Sequence, residues 1–348
     1  MRVDNHILQA FVKLGNFLVD FCDNDNPKNS GWSKNLKETI TIAGQYNRWF
    51  TEDNILFALK QWGELLTEDC LSKWLSNYEM TQDTSTKNIA IVMAGNIPLV
   101  GFHDFMCVLL TGNSVLVKLS SNDKVLLPFI ADFLIDSNRE LEGNIHFAEH
   151  KLEGFDAVIA TGSNNTGRYF EHYFGKHPNI IRKNRSSVAV LSGNETKEKL
   201  QSLGEDIFRY FGLGCRSVSK LFVPKGYDFS CFFEGIFEYD WVINNSKYAN
   251  NHDYNKAVYL MSDFNLFDNN FLLLKEDKSY GSPIGTLYFE YYESLSKLNE
   301  KLKNESKQLQ CVVSEDIIEG SIPIGTTQKP SLDDYADGID TIQFLLDL

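Results

Sequence analysis

The chain has 348 residues, and its 47 acidic side chains outnumber its 33 basic ones, which gives a formal net charge of −14. Binding a nucleic acid or an anionic membrane surface needs a basic stripe, and the chain has a single short basic cluster at residues 182–185. Both partner classes are therefore disfavoured. The 43% of hydrophobic residues is typical of a globular protein, and the length predicts about two domains.

Targeting and metal-binding signals are weak. The apolar runs break well short of the roughly 18 residues that a membrane-spanning helix needs. The start, Met-Arg-Val-Asp, does not fit the basic and apolar regions of a secretory signal. The six cysteines form no Cys-x-x-Cys pair, so neither a zinc site nor a disulfide framework is predicted. We expect a cytoplasmic protein with no membrane span and no metal.

Residues 1–85 are predicted to form an N-terminal helical segment. Apolar side chains recur there at spacings of three and four residues, in two stripes. The first stripe comprises Ile7, Phe11, Leu14, Phe17, Leu18 and Phe21, and the second comprises Ile55, Leu56, Leu59, Trp62, Leu65 and Leu66. Residues 51–53, Thr-Glu-Asp, supply a polar and acidic helix start before the second stripe.

Residues 86–186 alternate between short apolar runs and helical patterns. Strands are predicted at about 89–94, 114–119 and 156–161, with helices at about 99–110 and 123–136. A turn at 162–167 precedes a further helix. This order predicts a nucleotide-binding domain with an open, mostly parallel sheet, whose ligands bind at the carboxyl ends of the strands.

A second α/β domain is predicted at residues 187–310. A strand at 188–191, a helix at about 196–210 and a strand at 218–223 come first. Beyond residue 224, aromatic and Asn-rich segments alternate with short strands, and a helix is predicted at about 291–303. The C-terminal segment, 311–348, follows, and its return to the first sheet is one alternative.

Cys215 differs from the other cysteines in its context. It lies in a Gly-Leu-Gly-Cys turn between a helix and a strand, and Arg216 follows it. Exposed backbone N–H groups and a nearby cation lower the pKa of a thiol and favour a nucleophile. A small residue that fills a tight turn explains the same pattern equally well. The local sequence leaves both interpretations open.

Three other features are candidates for ligand contacts. Gly162 and Ser163 lie between a predicted strand and helix, where first-turn N–H groups favour an anion, although a plain turn explains them too. Asn96 follows a strand in a Gly-Asn-x-Pro turn, where its amide could donate to an oxyanion or only form the turn. His103 and Asp104 point about 100° apart on a helix, so a triad with Cys215 is disfavoured.

Taken together, these motifs resemble the aldehyde dehydrogenase superfamily and, within it, the acyl-CoA reductases of the LuxC type. Residues 94–99 are similar to the family's Asn-x-Pro turn, which implies that Asn96 contributes to an oxyanion hole. Residues 111–120 are similar to its cofactor-ribose segment, which implies contacts from Lys118 and Ser120. Residues 162–168 are similar to its pyrophosphate turn, which implies contacts from the residues Gly162, Ser163, Gly167 and Arg168.

The resemblance further implies that Cys215, in the segment similar to the family's Gly-Gln-x-Cys loop, is the catalytic thiol. Residues 325–328 and 333–341 resemble the closing segment of the LuxC-type enzymes. The fold implied is a Rossmann-type parallel sheet for the cofactor plus a second α/β catalytic domain. A typical member of the superfamily is longer than this chain.

Departures from the family pattern refine the expected chemistry. Hydrolytic relatives carry a Glu that activates water, whereas residues 179–187, Asn-Ile-Ile-Arg-Lys-Asn-Arg-Ser-Ser, contain no carboxylate. A thiol acceptor or donor is then favoured over water. Ser121 stands where NAD-selective relatives carry an acid, so NADPH is favoured over NADH. Residues 278–283 only faintly resemble the family's second cofactor-ribose segment.

The resemblance therefore implies reduction of a fatty acyl-CoA, or another acyl thioester, to an aldehyde through a Cys215 acyl-enzyme. Two alternatives stay open, namely aldehyde oxidation by the same fold and an acyl-accepting transferase or carrier that uses Cys215. We also expect a homo-oligomer, and an acyl-donating partner enzyme is one alternative source of the substrate. The expected basic groups around the cofactor are Lys118, Arg168 and the cluster at 182–185.

Overall fold

The computed structural model describes residues 5–24, 27–28, 30–79, 85–262 and 264–348. The chain divides into two compact units, one formed by residues 1–183 with 331–348 and the other by residues 184–330. The first few residues of the predicted N-terminal segment, 1–4, lie outside the described residues. The N-terminal helices and the C-terminal residues thus belong to the same unit as the first sheet.

The first unit opens with four helices and continues as an α/β sheet. Its helices are α1 Asn5–Asp23, α2 Ser30–Tyr46, α3 Glu52–Leu65, α4 Glu68–Leu75, α5 Phe102–Leu110, α6 Leu126–Ser137 and α7 Asn164–Phe174. Its strands are β1 Asn88–Val92, β2 Ser114–Lys118, β3 Ile145–Phe147, β4 Ala157–Thr161 and β5 Asn179–Arg182. A 3-10 helix spans Arg139–Gly143, and residues 331–348 contribute a second one, Ala336–Gly338, and the terminal helix described below.

Both predicted N-terminal stripes point into the core of the first unit. The six residues of the first stripe are all buried on α1, and Ile55 and Leu59 are buried on α3. α3 begins where the sequence predicts, because the Thr51 side chain accepts a hydrogen bond from the Asn54 N–H. The stripes bury apolar surface against α6 and α5, with Phe17 stacked on Phe133 at 4.7 Å between ring centroids.

The sheet of the first unit has five parallel strands in the order β3-β2-β1-β4-β5. The chain runs outward from β1 through β2 to β3 and then returns to the other side of β1 with β4. The boundary between β1 and β4 is therefore the topological switch point, where the crevice at the strand ends accepts ligands in doubly wound sheets. Residues 95–96 follow β1, and residues 162–163 follow β4.

The second unit contains a six-stranded sheet in the order β11-β6-β7-β10-β9-β8, with only β8 antiparallel among the described strands. Its strands are β6 Ser186–Val190, β7 Val218–Pro224, β8 Leu266–Asp268, β9 Leu273–Glu276, β10 Thr286–Tyr292 and β11 Leu309–Val313. Its helices are α8 Lys197–Phe208, α9 Phe229–Gly235, α10 Ser246–Met261 and α11 Leu295–Asn304, and 3-10 helices span Arg209–Gly212, Phe237–Asn244 and Ser306–Gln308. The terminal helix of the first unit is α12, Thr341–Leu346.

Several element bounds differ from the prediction for identifiable reasons. α5 begins at Phe102 rather than near residue 99, because Leu99 has a φ of 57° and cannot be helical. The predicted turn at 162–167 is shorter, since Ser163 caps α7 and the helix begins at residue 164. Residues 291–292 end strand β10 instead of opening a helix, and α11 starts after the Ser294 cap.

Candidate functional site

Cys215 lies in a strained turn between α8 and β7. Tyr210 and Phe211 have φ values of 55° and 57°, and Gly212 follows at 76°. The left-handed region is unfavourable for the two aromatic residues, yet both are buried, and the Phe211 ring lies 5.8 Å from Trp241 and 6.1 Å from Tyr248. Aromatic packing therefore stabilises the left-handed backbone conformation of the turn that precedes Cys215.

Hydrogen bonds hold the backbone of Cys215 and of the residues on either side of it. The Ser187 hydroxyl donates to the Cys215 carbonyl at 2.9 Å, and the Ser217 N–H donates to the Gly214 carbonyl at 3.0 Å. Arg216 Nε donates to the Thr327 carbonyl at 2.6 Å. Cys215 itself is exposed, whereas Cys107 and Cys311 are buried. A solvent-accessible thiol on a fixed backbone is the arrangement that a nucleophile needs.

A small cleft lies beside this turn within the second unit. Its cavity volume is about 30 Å³. Mostly apolar side chains line it together with four that carry a hydroxyl group, and the lining residues are Ile207, Phe208, Phe211, Gly212, Val218, Ser219, Tyr248, Leu272, Ser282, Pro283, Ile284, Gly285 and Thr286. Pro283, from the segment that faintly resembles a cofactor-ribose contact, thus lines this cleft in the second unit.

Asn96 lies in the turn that follows β1, at the switch point of the first sheet. A Cβ at Gly95 would come within 2.5 Å of the Ser120 hydroxyl, so only glycine fits this approach of two strand ends. The Gly95 carbonyl accepts from the Asn47 side chain at 3.3 Å, and Leu99 closes the turn in the left-handed region. The turns that carry Asn96 and Cys215 therefore both contain non-glycine residues with positive φ.

Gly162 and Ser163 join β4 directly to α7. The Ser163 hydroxyl accepts from the Thr166 N–H at 3.2 Å and caps the helix. A Cβ at Gly162 would meet Phe170 and Thr166 at 3.0 Å, so the absence of a side chain lets the strand end lie close to the helix. The first turn of α7 thus presents N–H groups beside the switch point, as a phosphate requires.

Lys118 ends β2 at the same edge. Its ammonium donates to the carbonyls of Glu149 at 2.6 Å and His150 at 2.8 Å, in the loop after β3. Ser120 and Ser121 follow it, and the Ser120 hydroxyl accepts from the Asn122 N–H at 3.2 Å. Ser121 is exposed. The structure therefore groups Asn96, Lys118, Ser120, Ser121, Gly162 and Ser163 at the carboxyl edge of one sheet.

Gly167 and Arg168 lie in the first turns of α7. Gly167 is buried, and a Cβ there would meet the Lys183 side chain at 3.1 Å. Arg168 is exposed. Lys183 forms an ion pair with Glu171 of the same helix at 2.7 Å.

The expectation that residues 182–185 supply cofactor-facing charge is wrong for Arg182. Arg182 is buried and forms a bidentate ion pair with Asp104, and its Nη2 also binds the Thr341 hydroxyl at 3.0 Å. Burial raises the pKa of Asp104, but the charge and hydrogen bonds of Arg182 outweigh that effect, and the net pKa is lowered. Arg182 is thus a structural cation whose charge is neutralised inside the first unit.

His103 and Asp104 do not form a catalytic pair. The His103 ring nitrogen Nε2 lies 2.9 Å from the Leu332 carbonyl, and burial holds the pKa of His103 below its ordinary value. The two side chains bind different partners, as their helical spacing predicts.

Two residues that bind the segments around Cys215 were not predicted from the sequence. Ser187, the second residue of β6, donates to the Cys215 carbonyl, and Asp206 of α8 accepts hydrogen bonds from residues 325–327. The sequence did contain a signal for Asp206, which stands on the apolar face of α8 between Leu203 and Ile207. Because an unpaired carboxylate is seldom buried, an acidic residue at such a position indicates a buried binding partner.

The described part of the chain contains no group of three or more His, Cys, Asp or Glu side chains that could hold a metal ion. None of the described helices combines the length and the apolar character needed to cross a bilayer.

Solved structures with a similar fold include several aldehyde dehydrogenases. Aldehyde dehydrogenase 21 from Physcomitrella patens, in complex with the reaction product succinate, has a TM-score of 0.65 at 12% identity, covering 98% of this chain and 82% of that one. Lactaldehyde dehydrogenase from Escherichia coli has a TM-score of 0.58 at 12% identity, covering 89% and 75%. An indole-3-acetaldehyde dehydrogenase in complex with NAD+ has a TM-score of 0.57 at 13% identity, covering 90% and 75%. These similarities confirm the predicted aldehyde-dehydrogenase-like fold.

Among curated proteins, none matches this sequence significantly. The sequence model of the acyl-CoA reductase (LuxC) family matches residues 28–230. That range is more than half of the chain and includes the turns of Asn96, Gly162 and Cys215. The predicted LuxC-type resemblance is confirmed, and the chain belongs to the LuxC acyl-CoA reductase family, a group of oxidoreductases that act on acyl groups and aldehydes.

Proposed function

We propose that this protein reduces a fatty acyl-CoA to the aldehyde with NADPH, through a thioester on Cys215. One observation carries the proposal: Cys215 is exposed, and it lies on a strained turn whose backbone is held by hydrogen bonds. This turn lies within the residues that match the reductase family. The nearest rival is hydrolytic aldehyde oxidation. Residues 179–187 contain no carboxylate to activate water, which favours exchange with the thiol of coenzyme A.

Cys215 performs the covalent step of the proposed mechanism. Its thiolate attacks the thioester carbonyl, a carbon–sulfur bond to Cys215 forms, and the coenzyme A thiolate leaves. We propose that the Cys215 N–H donates to the carbonyl oxygen; for Asn96, an oxyanion-hole role is implied only by the resemblance of its turn. After reduction, the thiohemiacetal on Cys215 collapses, releasing the aldehyde and regenerating the thiolate.

The first unit is proposed to hold the cofactor, which when bound supplies the hydride. The carboxyl edge of its sheet fits a dinucleotide in two respects. The switch point lies between β1 and β4, and Gly162 and Ser163 bring the N–H groups of α7 to that point. We assign the pyrophosphate to this turn with Gly167 and Arg168, and the adenosine ribose to Lys118 and Ser120. Ser121 has no negative charge to repel a 2′-phosphate, which favours NADPH.

The decisive experiment measures NADPH and NADH oxidation with acyl-CoAs of graded chain length. We expect Cys215→Ala to reduce the rate by at least about 10³-fold, because no other group replaces the nucleophile. Cys231→Ala is the matched control, since Cys231 is also exposed in the second unit but lies on α9. Its rate should equal that of the unchanged protein.

Three outcomes would contradict the proposal. Near-normal oxidation of NADPH by Cys215→Ala would show that the thiol is not the nucleophile. Release of free acid from an aldehyde, at a rate independent of coenzyme A, would select the hydrolytic alternative. Stable acylation of Cys215 without nicotinamide binding would select an acyl carrier or transferase.

A further inference from the structure

Asp206 is a buried carboxylate that binds a loop from a distant part of the sequence. It lies on α8 with no exposed surface. One carboxylate oxygen accepts from the Gly325 N–H at 2.6 Å, and the other accepts from the Thr327 N–H at 2.9 Å and the Thr327 hydroxyl at 2.8 Å. Three donors from residues 325–327 therefore converge on a single side chain.

Residues 325–328, which we call the GTTQ turn, fit closely between α8 and the cysteine turn. Gly325 has a φ of 86°, and a Cβ there would lie 2.9 Å from Ser202 of α8. On the other side, the Thr327 carbonyl accepts from Arg216 Nε at 2.6 Å. The Gln328 amide lies 3.5 Å from the Ser217 hydroxyl. Asp206 and the two residues that follow Cys215 thus bind the same four-residue turn.

We propose that Asp206 is a positioning residue for Cys215: its carboxylate holds the GTTQ turn against Arg216 and Ser217, and that turn fixes the backbone that presents the thiol. Ser187 of the neighbouring strand β6 donates to the Cys215 carbonyl, so the backbone of Cys215 is held by two sets of contacts. The inference rests on the proposed function only in taking Cys215 as the reacting thiol.

The protonation state of Asp206 is expected to control this contact. Burial raises the pKa of Asp206 to about 6, against the opposing effect of its hydrogen bonds from Gly325 and Thr327. Above that pH the carboxylate accepts all three bonds. Below it, one oxygen carries a proton and no longer accepts freely from the N–H that it faces, so the GTTQ turn loosens.

Few other charged groups act on Asp206. Glu205 precedes it on α8 and raises its pKa, and Glu205 is itself paired with Arg209. Tyr239, from the 3-10 helix packed on α8, interacts with both carboxylates, and its own pKa is raised to about 12. The charged residue of β7, Lys220, binds Glu290 instead. The GTTQ turn brings no side chain that titrates in this range.

The test is the rate at which iodoacetamide alkylates Cys215, followed by mass spectrometry of its peptide as a function of pH. In the unchanged protein, the logarithm of the rate should fall by more than one unit per pH unit below about pH 6, because the thiol and Asp206 both take up protons. Asp206→Asn should restore the slope of a single titration. It should also lower the Cys215 rate and kcat at pH 7.5 by about tenfold, since an amide cannot accept from both Gly325 and Thr327.

Two controls separate positioning from general damage. The exposed Cys70 and Cys231 should be alkylated at unchanged rates in every variant. Glu205→Gln removes the neighbouring carboxylate without touching the GTTQ turn, and it should leave the Cys215 rate above pH 7 unchanged. The KM for NADPH should change less than about twofold in Asp206→Asn, because the proposed cofactor residues belong to the first unit.

A Cys215 rate and pH profile unchanged in folded Asp206→Asn would overturn the inference. If that variant does not fold, Thr327→Val decides, because it removes one of the three bonds and should move the steep region to higher pH. An unmoved profile in Thr327→Val would also overturn it. Alkylation needs neither acyl-CoA nor cofactor. The test therefore remains valid if the proposed reductase activity is absent, and the failure of one proposal can be distinguished from the failure of the other.

Discussion

At the scale of single residues, the candidate site combines features that cost folding free energy. Tyr210 and Phe211 have positive φ values, each costing on the order of 1 kcal/mol or more. The raised pKa of Asp206, about 6, means that its ionised form destabilises the fold by roughly 3 kcal/mol. That cost appears as pH rises from about 4 to 6 and persists above it. Backbone strain and buried charges of this kind are concentrated at functional sites.

Cofactor choice is tested at Ser121. Ser121→Asp places a carboxylate at an exposed position directly after the segment of Lys118 and Ser120. If a 2′-phosphate binds there, repulsion between two anions should raise the KM for NADPH by about tenfold or more. The KM for NADH should remain within about twofold, and kcat with NADH should be unchanged. Steady-state kinetics with both cofactors decide this, and an equal rise in both KM values would remove Ser121 from the 2′-phosphate site.

Some of these residues were readable from the sequence and others were not. Cys215, Asn96 and Gly162 stand in turn motifs that glycine and proline mark. Asp206 was not identified, because its partners lie more than a hundred residues away, and no local spacing reveals that contact. Arg182 was assigned wrongly because its partners are also distant in sequence: Asp104 lies 78 residues away and Thr341 lies 159 residues away.

At the scale of elements, β1, β2, β4 and the order of strands and helices around them were predictable from apolar runs and turn residues. α10 was missed beyond residue 224, although its buried residues Tyr248, His252, Asn255 and Tyr259 follow a helical spacing. Those side chains are polar or amphipathic, so an apolar count does not detect them. Their burial is explained only by tertiary partners, such as the Phe271 carbonyl bound by Tyr248 and the Ile284 carbonyl bound by Asn255.

The terminal element α12 is expected to stabilise the first unit. Ile342 is fully buried, and Tyr335 before the helix accepts from the Trp74 indole at 3.0 Å. Ile342→Ala should lower the free energy of unfolding by about 2–5 kcal/mol, because it leaves a cavity in the core. Gln343→Ala, on the exposed face of the same helix, should change it by less than about 0.5 kcal/mol. Urea titration followed by circular dichroism measures both, and equal effects would show that α12 contributes little.

At the scale of the whole molecule, the residues proposed for the cofactor and the thiol belong to different compact units. Lys118→Ala should therefore raise the KM for NADPH, by about tenfold, while the Cys215 alkylation rate stays within about twofold of the unchanged protein. Parallel measurement of steady-state kinetics and alkylation tests this separation. Arg139→Ala, which removes an exposed cation paired with Asp136, should alter neither quantity. A Cys215 rate that falls with Lys118→Ala would contradict the separation.

The first unit is discontinuous in sequence, and this has a consequence for synthesis on the ribosome. Residues 1–183 emerge first, but the contacts of Thr341, Ile342 and Leu345 become available only after the intervening residues 184–330 have been translated. At about 5–20 residues per second, that interval is about 7–30 s. During it, the nascent first unit exposes the apolar surface that α12 later covers and leaves Arg182 without the Thr341 hydroxyl. We therefore expect chaperones to bind the nascent first unit in the interval before residues 331–348 emerge.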